Sequence, residues 1–285
     1  MNETMIVAVG EVVWDCFPNK KVLGGAPVNV AYHLTSLGHD VLVVSRVGDD
    51  GLGRTTLNKL GELNVSTAGV QIDTELVTGQ VNVSFGQDNE PSFDIVAPAA
   101  WDAIEPLAAF AEIGDRPFSL VFGTLAQRDE RSRRAIVELL ERASYSFYDV
   151  NLRPPYTTKE LVINSLSKAD MVKVNENELR ILGGWCGCAV TDKKDLAEKL
   201  IEKFDLDALV VTEGPDGAWI IVEEKYYQAD SDPITVADTV GARDAFFAAI
   251  IHGKIQKTPW QQCLGEANRR GGYVASQTGA TPKMP

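Results

Sequence analysis

The sequence has few of the features that mark membrane or disulfide-stabilised proteins. No apolar run approaches the ~20 residues that cross a bilayer, and MNETMIVAVGEVVWD lacks the basic and apolar regions of a signal peptide, so we expect neither. Four cysteines in 285 residues are too few for a disulfide framework, so we expect a reducing, cytoplasmic compartment. Cys186 and Cys188 form C-G-C without a second pair at zinc spacing, and we interpret them as ordinary thiols.

Positive charge is also scarce. The chain has 27 Lys and Arg against 40 Asp and Glu, a formal net charge of −13 at pH 7. This balance disfavours nucleic acids and anionic membranes as partners, although a small anion such as ATP needs only a local site. The hydrophobic content of 45% is that of a globular protein. Because no linker or internal repeat interrupts the chain, we predict one domain over residues 1–285.

Strands and helices alternate along most of the chain. This pattern predicts an α/β fold, a mostly parallel sheet with helices on both faces. The apolar runs interpreted as strands are 5–9, 41–45, 120–123, 145–150, 171–175, 208–212 and 218–222. The segments interpreted as helices are 26–37, 52–63, 129–142, 158–167, 176–182, 192–203, 242–252 and 259–277.

Two segments stand outside that alternation. Residues from about 11–23 and 73–96 are strand-like and rich in turns. Within them, residues 79–86 alternate as a half-exposed strand does, and 91–96 are expected to pair with it across a turn at 87–90. We predict a small second sheet that projects from the main body.

Ligands of a parallel sheet bind at the carboxyl ends of its strands, and four loops fall there. The first contains Gly24 and Gly25, which allow close approach to a ligand, and then Asn29 in the first turn of a helix. Another, VTEGPDGAW at 211–219, ends a strand with Thr and two glycines. The first loop could instead be a plain Gly-Gly turn, and 211–219 could be a hairpin turn, each without a binding role. Three common motifs are absent: a phosphate loop ending in Gly-Lys-Ser/Thr, a zinc-protease helix and a Ser-hydrolase elbow.

The other two loops carry charged and amide side chains. Asp149, Asn151 and Arg153 alternate beyond a strand, which suits a polyol or phosphate, or a solvated strand end. Asn175 and Glu178 share a face at a helix start. The same spacing is typical of a capping box, so a purely structural role stays open for Glu178.

The order of these loops along the chain resembles that of the PfkB family of carbohydrate kinases, which have the ribokinase-like fold. The resemblance covers essentially the whole chain. The matching segments are GGAPVNVAYHLTSLG (24–38), VGDDGLG (47–53), NENE (175–178), TEGPDG (212–217) and DTVGARD (238–244). Within the family, GEVVWDCFPN, PAAWDAI, FGTLAQR and DVNLRPPY are most similar to fructokinases. The resemblance implies an ATP-dependent kinase that phosphorylates a hydroxyl of fructose or a similar small sugar.

The resemblance assigns the chemistry to the segment 238–244. Asp244 matches the catalytic base, which takes the proton of the attacking sugar hydroxyl. Gly241, Ala242 and Arg243 match the anion-hole turn, whose backbone N–H groups would face the transferring phosphoryl group. A carboxylate at a helix N-terminus is stabilised in its charged form, so we expect Asp244 to be ionised at neutral pH.

The resemblance also implies the binding residues. The sugar-binding positions are Asp15, Gly25, Asn29 and Arg153. The nucleotide contacts are Thr212, Gly214, Gly217 and Asn268. Asn175 and Glu178 match a motif linked to Mg²⁺ through water, which agrees with the tendency of Mg²⁺ to keep its hydration.

The projecting sheet resembles the family lid, formed here by about 11–23 and 73–96. Such a lid closes over the sugar and excludes water, and it often forms a dimer contact, so we expect a homodimer through the lid. The loop 238–240 and the segment 275–283 are candidates for a monovalent cation site, as in some relatives.

Arg243 departs from the family, which usually has Gly at this position. Side chains on a helix lean toward its N-terminus, here the phosphate side. The guanidinium could fold aside and bind phosphate, or it could fill the hole and displace the γ-phosphate. Two rivals to fructokinase activity follow: a kinase for another sugar, sugar acid or nucleoside, and a catalytically weak or silent sugar-nucleotide binder.

Overall fold

The computed structural model describes residues 5–85, 91–188 and 190–285, which contain thirteen strands. In chain order the strands are β1 (Met5–Val9), β2 (Val13–Cys16), β3 (Lys21–Gly24), β4 (Val41–Gly48), β5 (Val70–Asp73), β6 (Gly79–Phe85), β7 (Pro91–Ile95), β8 (Phe118–Gly123), β9 (Tyr145–Asp149), β10 (Met171–Asn175), β11 (Ala208–Thr212), β12 (Ala218–Val222) and β13 (Lys225–Ala229).

The same residues contain nine α-helices. They are α1 (Ala26–Ser36), α2 (Gly51–Glu62), α3 (Pro106–Ile113), α4 (Glu130–Leu140), α5 (Lys159–Leu166), α6 (Glu176–Trp185), α7 (Lys193–Phe204), α8 (Ala242–Gln256) and α9 (Trp260–Ala275). Short 3₁₀ helices occupy Ala100–Ala103, Leu125–Gln127 and Gly214–Asp216. Within the described residues, no helix combines the length and apolarity that a membrane span requires.

A nine-stranded sheet forms the body, in the order β13-β12-β11-β10-β9-β8-β1-β4-β5. All neighbouring strands from β11 to β5 pair in parallel, whereas β12 is antiparallel to both of its neighbours. The core has two parts, one on each face of the sheet. Helices α1, α2, α8 and α9 contribute to one part, and α3 to α7 contribute to the other. The predicted α/β class with helices on both faces is confirmed.

Strand β1 shows why this architecture suits the sequence. Its residues MIVAV are all buried, because β1 lies inside the sheet between β4 and β8 and is covered on both faces. The chain runs from β1 to one side of the sheet through β4 and β5 and to the other through β8 to β11. This change of direction opens a crevice at the carboxyl ends of the strands, where ligands of such sheets bind.

Three elements were missing from the sequence prediction: β5, β13 and α3. The case of β13 has a clear physical reason, because its hairpin with β12 turns at Glu223 and Glu224. These residues have φ values of 50° and 59°, a conformation that Asn and Gly adopt far more readily. A Glu-Glu pair therefore gives no turn signal. The α3 segment PLAAFAEI has eight residues with little polar contrast, and β5 has only four.

The second sheet has four strands in the order β3-β2-β6-β7. β2 is antiparallel to β3 and parallel to β6, while β7 is antiparallel to β6. Its strands come from the two predicted segments, although Asp73 itself ends β5 in the large sheet. The predicted turn at 87–90 lies outside the described residues. That this sheet acts as a lid stays a prediction.

Candidate active site

Asp244 and Asn29 are in direct contact, although 215 residues separate them in the sequence. Asn29 Nδ2 donates a hydrogen bond of 2.7 Å to Asp244 Oδ2, and both side chains are buried. Asp244 is the third residue of α8 and Asn29 the fourth of α1. Since α1 and α8 pack against each other, the structure joins the predicted base to a predicted sugar ligand.

Burial raises the pKa of Asp244 above its ordinary value, and the nearby Asp149 carboxylate adds to the rise. The Asn29 amide, Lys173 and Arg243 oppose it. The direction differs from the sequence expectation, which considered only the helix N-terminus, because removing a carboxylate from water outweighs that field here. A raised pKa makes Asp244 a better proton acceptor than a solvated aspartate.

Gly241, Ala242 and Arg243 form the start of α8. Gly241 is its N-cap with a φ of 79°, a left-handed conformation that favours glycine, and a Cβ there would collide with Ala280. The helix begins without a side-chain cap, and the Ala242 N–H makes only a long contact of 3.4 Å with the Thr239 carbonyl. The N–H groups of the first turn are therefore suited to an anion.

Arg243, the second residue of α8, is exposed. Its Nη2 donates a hydrogen bond of 3.2 Å to Asn151 Oδ1. Asn151 follows β9 and has a φ of 36°, which is uncommon for a residue other than glycine. The guanidinium therefore bridges the start of α8 and the loop after β9.

The predicted sugar residues Asp15 and Gly25 lie at the link between the two sheets. Gly25 is the N-cap of α1 with a φ of 116°, and a Cβ there would collide with the Glu11 carbonyl oxygen. Asp15, in β2, is half-buried, and its carboxylate lies beside Gly24. Burial and the neighbouring Asp238 raise the pKa of Asp15. The structure thus places a carboxylate next to the glycine turn that leads to Asn29.

Arg153 lies in the loop after β9 and is half-buried. Its Nη1 donates to the Leu152 carbonyl at 3.1 Å, and its charge acts on the buried Glu11 carboxyl. Arg153 therefore acts on the same residue, Glu11, whose carbonyl oxygen lies against Gly25.

Two groups at this site were not singled out in the sequence. Lys173 Nζ contacts both carboxylate oxygens of Asp149, at 3.0 and 3.2 Å, and both side chains are buried. A lysine inside the apolar strand MVKVN was the signal in the sequence, since a buried lysine needs a partner.

The second group is Glu11, which directly follows Gly10. Its Oε2 atom is buried without a hydrogen-bond partner.

Asn175 and Glu178 form the capping box that the sequence left open. Asn175 Oδ1 accepts from the Glu178 N–H at 2.8 Å, and Glu178 Oε2 accepts from the Asn175 N–H at 2.8 Å. Glu178 Oε1 also accepts from the Leu152 N–H at 3.0 Å. Glu178 thus links the start of α6 to the loop that carries Asn151 and Arg153.

The predicted nucleotide residues converge on the ends of β11 and β13. Thr212 ends β11, and Gly214 and Gly217 have φ values of 62° and 103°. A Cβ at Gly217 would collide with the Ala229 carbonyl oxygen. Asn268 Nδ2, on α9, donates to the same carbonyl at 2.8 Å. Asn268 therefore fixes the strand end beside the glycine turn, and its Oδ1 stays available as an acceptor.

Metal ligands are not clustered at this site. Among the described residues, no three His, Cys, Asp or Glu side chains lie close enough together to hold a metal ion. The two segments proposed for a monovalent cation do lie side by side, because the Asp238 N–H donates to the Ala275 carbonyl at 3.2 Å and Asp238 Oδ2 accepts from the Gly279 N–H at 3.2 Å. A cation there stays a prediction.

Comparison with known proteins gives one family over nearly the whole chain. A family model described as pfkB family carbohydrate kinase matches residues 3–285. The chain is 27% identical to probable fructokinase-7 of Arabidopsis thaliana, over 100% of this chain and 90% of that protein. It is 26% identical to an aminoimidazole riboside kinase of Salmonella typhimurium, over 100% of this chain and 92% of that protein.

Among solved structures, the fold is similar to that of a fructokinase with bound ATP from Xylella fastidiosa. The TM-score is 0.86 at 22% identity, and the match covers 98% of this chain and 94% of that one. At this identity the likeness establishes the shared fold.

Proposed function

Since this chain belongs to the pfkB family of carbohydrate kinases, we propose that it transfers the γ-phosphoryl group of ATP to a hydroxyl of fructose or a close ketose. The observation that carries this proposal is the buried contact between Asn29 and Asp244. It places an amide that can bind a sugar hydroxyl next to a carboxylate that can take its proton.

The proposed reaction needs few protein groups to take part directly. The sugar hydroxyl oxygen bonds to the γ-phosphorus, the bond from that phosphorus to the β,γ-bridging oxygen breaks, and ADP leaves. The hydroxyl proton passes to the Asp244 carboxylate. Because phosphoryl transfer depends mainly on alignment and charge stabilisation, an aspartate suffices as base if the proton moves late.

The start of α8 supplies the charge stabilisation in this proposal. Backbone N–H groups at a helix N-terminus favour an anion, and Gly241 keeps a side chain out of the turn. Thr212, Gly214 and Gly217 would hold ATP at the end of β11, with Asn268 fixing the neighbouring strand end.

The residues Asn175 and Glu178 fit a Mg²⁺ ion held through water. Each oxygen of Glu178 and Asn175 Oδ1 accepts one backbone N–H, and the remaining lone pairs can accept from metal-bound water. Held by water on Asn175 and Glu178, a bound Mg²⁺ would offset the charge of the triphosphate.

The choice of fructose rests on Asp15, Asn29 and Arg153 together with the relatives named fructokinase. A carboxylate, an amide and a guanidinium around one space suit a polyol whose product carries a phosphate. Because one relative is named aminoimidazole riboside kinase, a nucleoside-like acceptor is the main alternative substrate. A silent binder is the alternative outside catalysis.

One experiment separates these functions: a coupled ADP-release assay with Mg·ATP over ketohexoses, ribose, sugar acids and nucleosides. We expect turnover with fructose or another ketohexose, and Asp244→Asn serves as the matched inactive control. Turnover with ribose or a nucleoside but with no ketohexose would contradict the proposed substrate. Sugar binding by calorimetry without any turnover would identify a silent binder.

We also propose that the β3-β2-β6-β7 sheet closes over the sugar and joins two copies of the chain. Sedimentation of the wild-type protein tests the assembly, and a monomer at micromolar concentration would contradict it.

A further inference from the structure

Glu11 is a buried acid that the proposed mechanism does not use. It is 5% exposed and directly follows β1 and Gly10, at the carboxyl end of a strand inside the large sheet. Carboxyl groups in such positions are nearly always paired. Glu11 Oε2 nevertheless has no hydrogen-bond partner in the protein.

The surroundings of Glu11 belong to the proposed sugar site. The backbone N–H groups of Glu11 itself and of Ala26, the first residue of α1, lie close enough to lower the pKa of the carboxyl, and the charges of Asp244 and Arg153 both act on it. Its own carbonyl oxygen lies against Gly25. The end of β1 and the start of α1 thus lie together at this residue, and charges from the loop after β9 and from the start of α8 reach its side chain.

An unpartnered buried oxygen carries an uncompensated desolvation cost. The protein could have avoided that cost with an apolar residue, so the position favours a group that gains a partner when the site fills. Of the residues whose charges act on Glu11, Asp244 is the proposed base and Arg153 a proposed sugar contact. A hydroxyl is the matching chemistry, because it both donates and accepts and carries no charge to bury.

We propose that Glu11 is a further substrate-positioning residue, and that its free carboxyl oxygen hydrogen-bonds a hydroxyl of the polyhydroxyl acceptor beside Asp244. The inference rests on the proposed function. It adds a sugar contact from β1 to those from β2, α1 and the loop after β9.

The titration of Glu11 agrees with this role. Burial and the Asp244 charge raise its pKa to about 7, against the backbone N–H groups of Glu11 and Ala26 and the Arg153 charge, which lower it. Near neutral pH the group therefore exists in both forms, and it can either donate to or accept from a hydroxyl. A second full negative charge beside Asp244 is also avoided at lower pH.

The test compares Glu11→Ala with Glu11→Gln at saturating Mg·ATP, with fructose as the acceptor. Loss of one hydrogen bond predicts a rise of about 10-fold in the KM for fructose in Glu11→Ala, with the KM for ATP within about 2-fold of wild type. Glu11→Gln keeps an acceptor for the Ala26 N–H and a polar group for the sugar, so its KM for fructose should stay close to wild type.

Deoxyfructoses locate the contact. The analogue that lacks the contacted hydroxyl should bind equally to wild type and Glu11→Ala, as a double-mutant cycle requires of a direct pair. Other deoxy positions should retain the difference between the two proteins.

Three results would count against the inference. An unchanged KM for fructose in a folded Glu11→Ala protein would mean that water, and not the sugar, is the hydrogen-bond partner of Glu11 Oε2. A parallel rise in both KM values with a lower melting temperature would mean a purely structural role. If wild type bound no sugar in the panel, the proposed function would fail and the inference with it.

Discussion

Arg243 Nη2 and Asn151 Oδ1 are joined by a hydrogen bond of 3.2 Å, which connects the start of α8 to the loop after β9. The bond spans two elements that carry the proposed base and the proposed sugar cation, Asp244 and Arg153. A guanidinium has five N–H donors, so most remain for an anion. The sequence left open whether this side chain folds aside and binds phosphate or fills the turn, and in the structure it reaches Asn151.

Replacing Arg243 with Gly should raise kcat and leave the KM for the sugar nearly unchanged. We expect the guanidinium, held near the start of α8 by Asn151, to crowd a phosphate at the N–H groups there, whereas the proposed sugar contacts lie on other segments. We therefore expect a slow but active wild-type kinase. Steady-state kinetics with Mg·ATP measures the change, and a clear fall in kcat would show instead that Arg243 binds the phosphate.

Asn151→Ala is the matched control for that experiment, because it removes the bridge and keeps the cation. If the bridge obstructs, both variants should raise kcat. The cation should also attract the triphosphate, so the KM for ATP should rise with salt in wild type and Asn151→Ala. A weaker salt dependence is expected in Arg243→Gly.

Asp244→Asn should lower kcat by at least ~100-fold, the lower end for loss of a positioned general base. The change removes the proton acceptor and keeps the size of the side chain, and Asp15 and Asn29 remain to bind sugar. Calorimetry with fructose should therefore detect binding in a protein that no longer turns over. Near-normal turnover would remove Asp244 from the mechanism.

Loop positions, but not burial, were predictable from the sequence. Asn29 and Asn175 lie at helix starts in two of the four loops that the sequence pattern assigned to the carboxyl edge of the sheet. The role of Asp244 came instead from the resemblance of residues 238–244 to the family. The raised pKa of Asp244 was not predictable, because it depends on the enclosure made by α1, β9 and β10. Lys173 and Glu11 were missed for the same reason, since a single charged residue in or beside an apolar strand does not reveal which side chains surround it.

Asn29→Ala should shift the acid limb of the kcat profile to higher pH. The Asn29 amide lowers the pKa of Asp244, so its removal should raise that pKa further and protonate the base over a wider range. Asn29→Asp should shift the limb more, because it adds a like charge. kcat measured from pH 5 to 9 tests this order, and identical profiles in all three proteins would contradict it.

Glu11→Gln should change how stability depends on pH. The folded-state pKa of Glu11 is about 7, against an ordinary value of 4.5, so between these values the folded protein holds more protons than the unfolded chain. The contribution of Glu11 to stability is therefore greatest below pH 4.5 and is lost as pH rises through 7. Gln does not titrate, so the free energy of unfolding of the Glu11→Gln protein should not decrease in this way as pH rises.

The expected gain of Glu11→Gln over wild type is small near pH 4.5 and grows to about 3 kcal/mol at pH 8, from 1.36 kcal/mol per pKa unit. His33, whose pKa burial lowers to about 4, has the opposite dependence, but it is present in both proteins and cancels in the difference. Urea unfolding across this range measures the gain without any ligand. A difference that stays constant with pH would mean that Glu11 is ionised in the folded protein throughout, and that the carboxyl has a partner that compensates its burial.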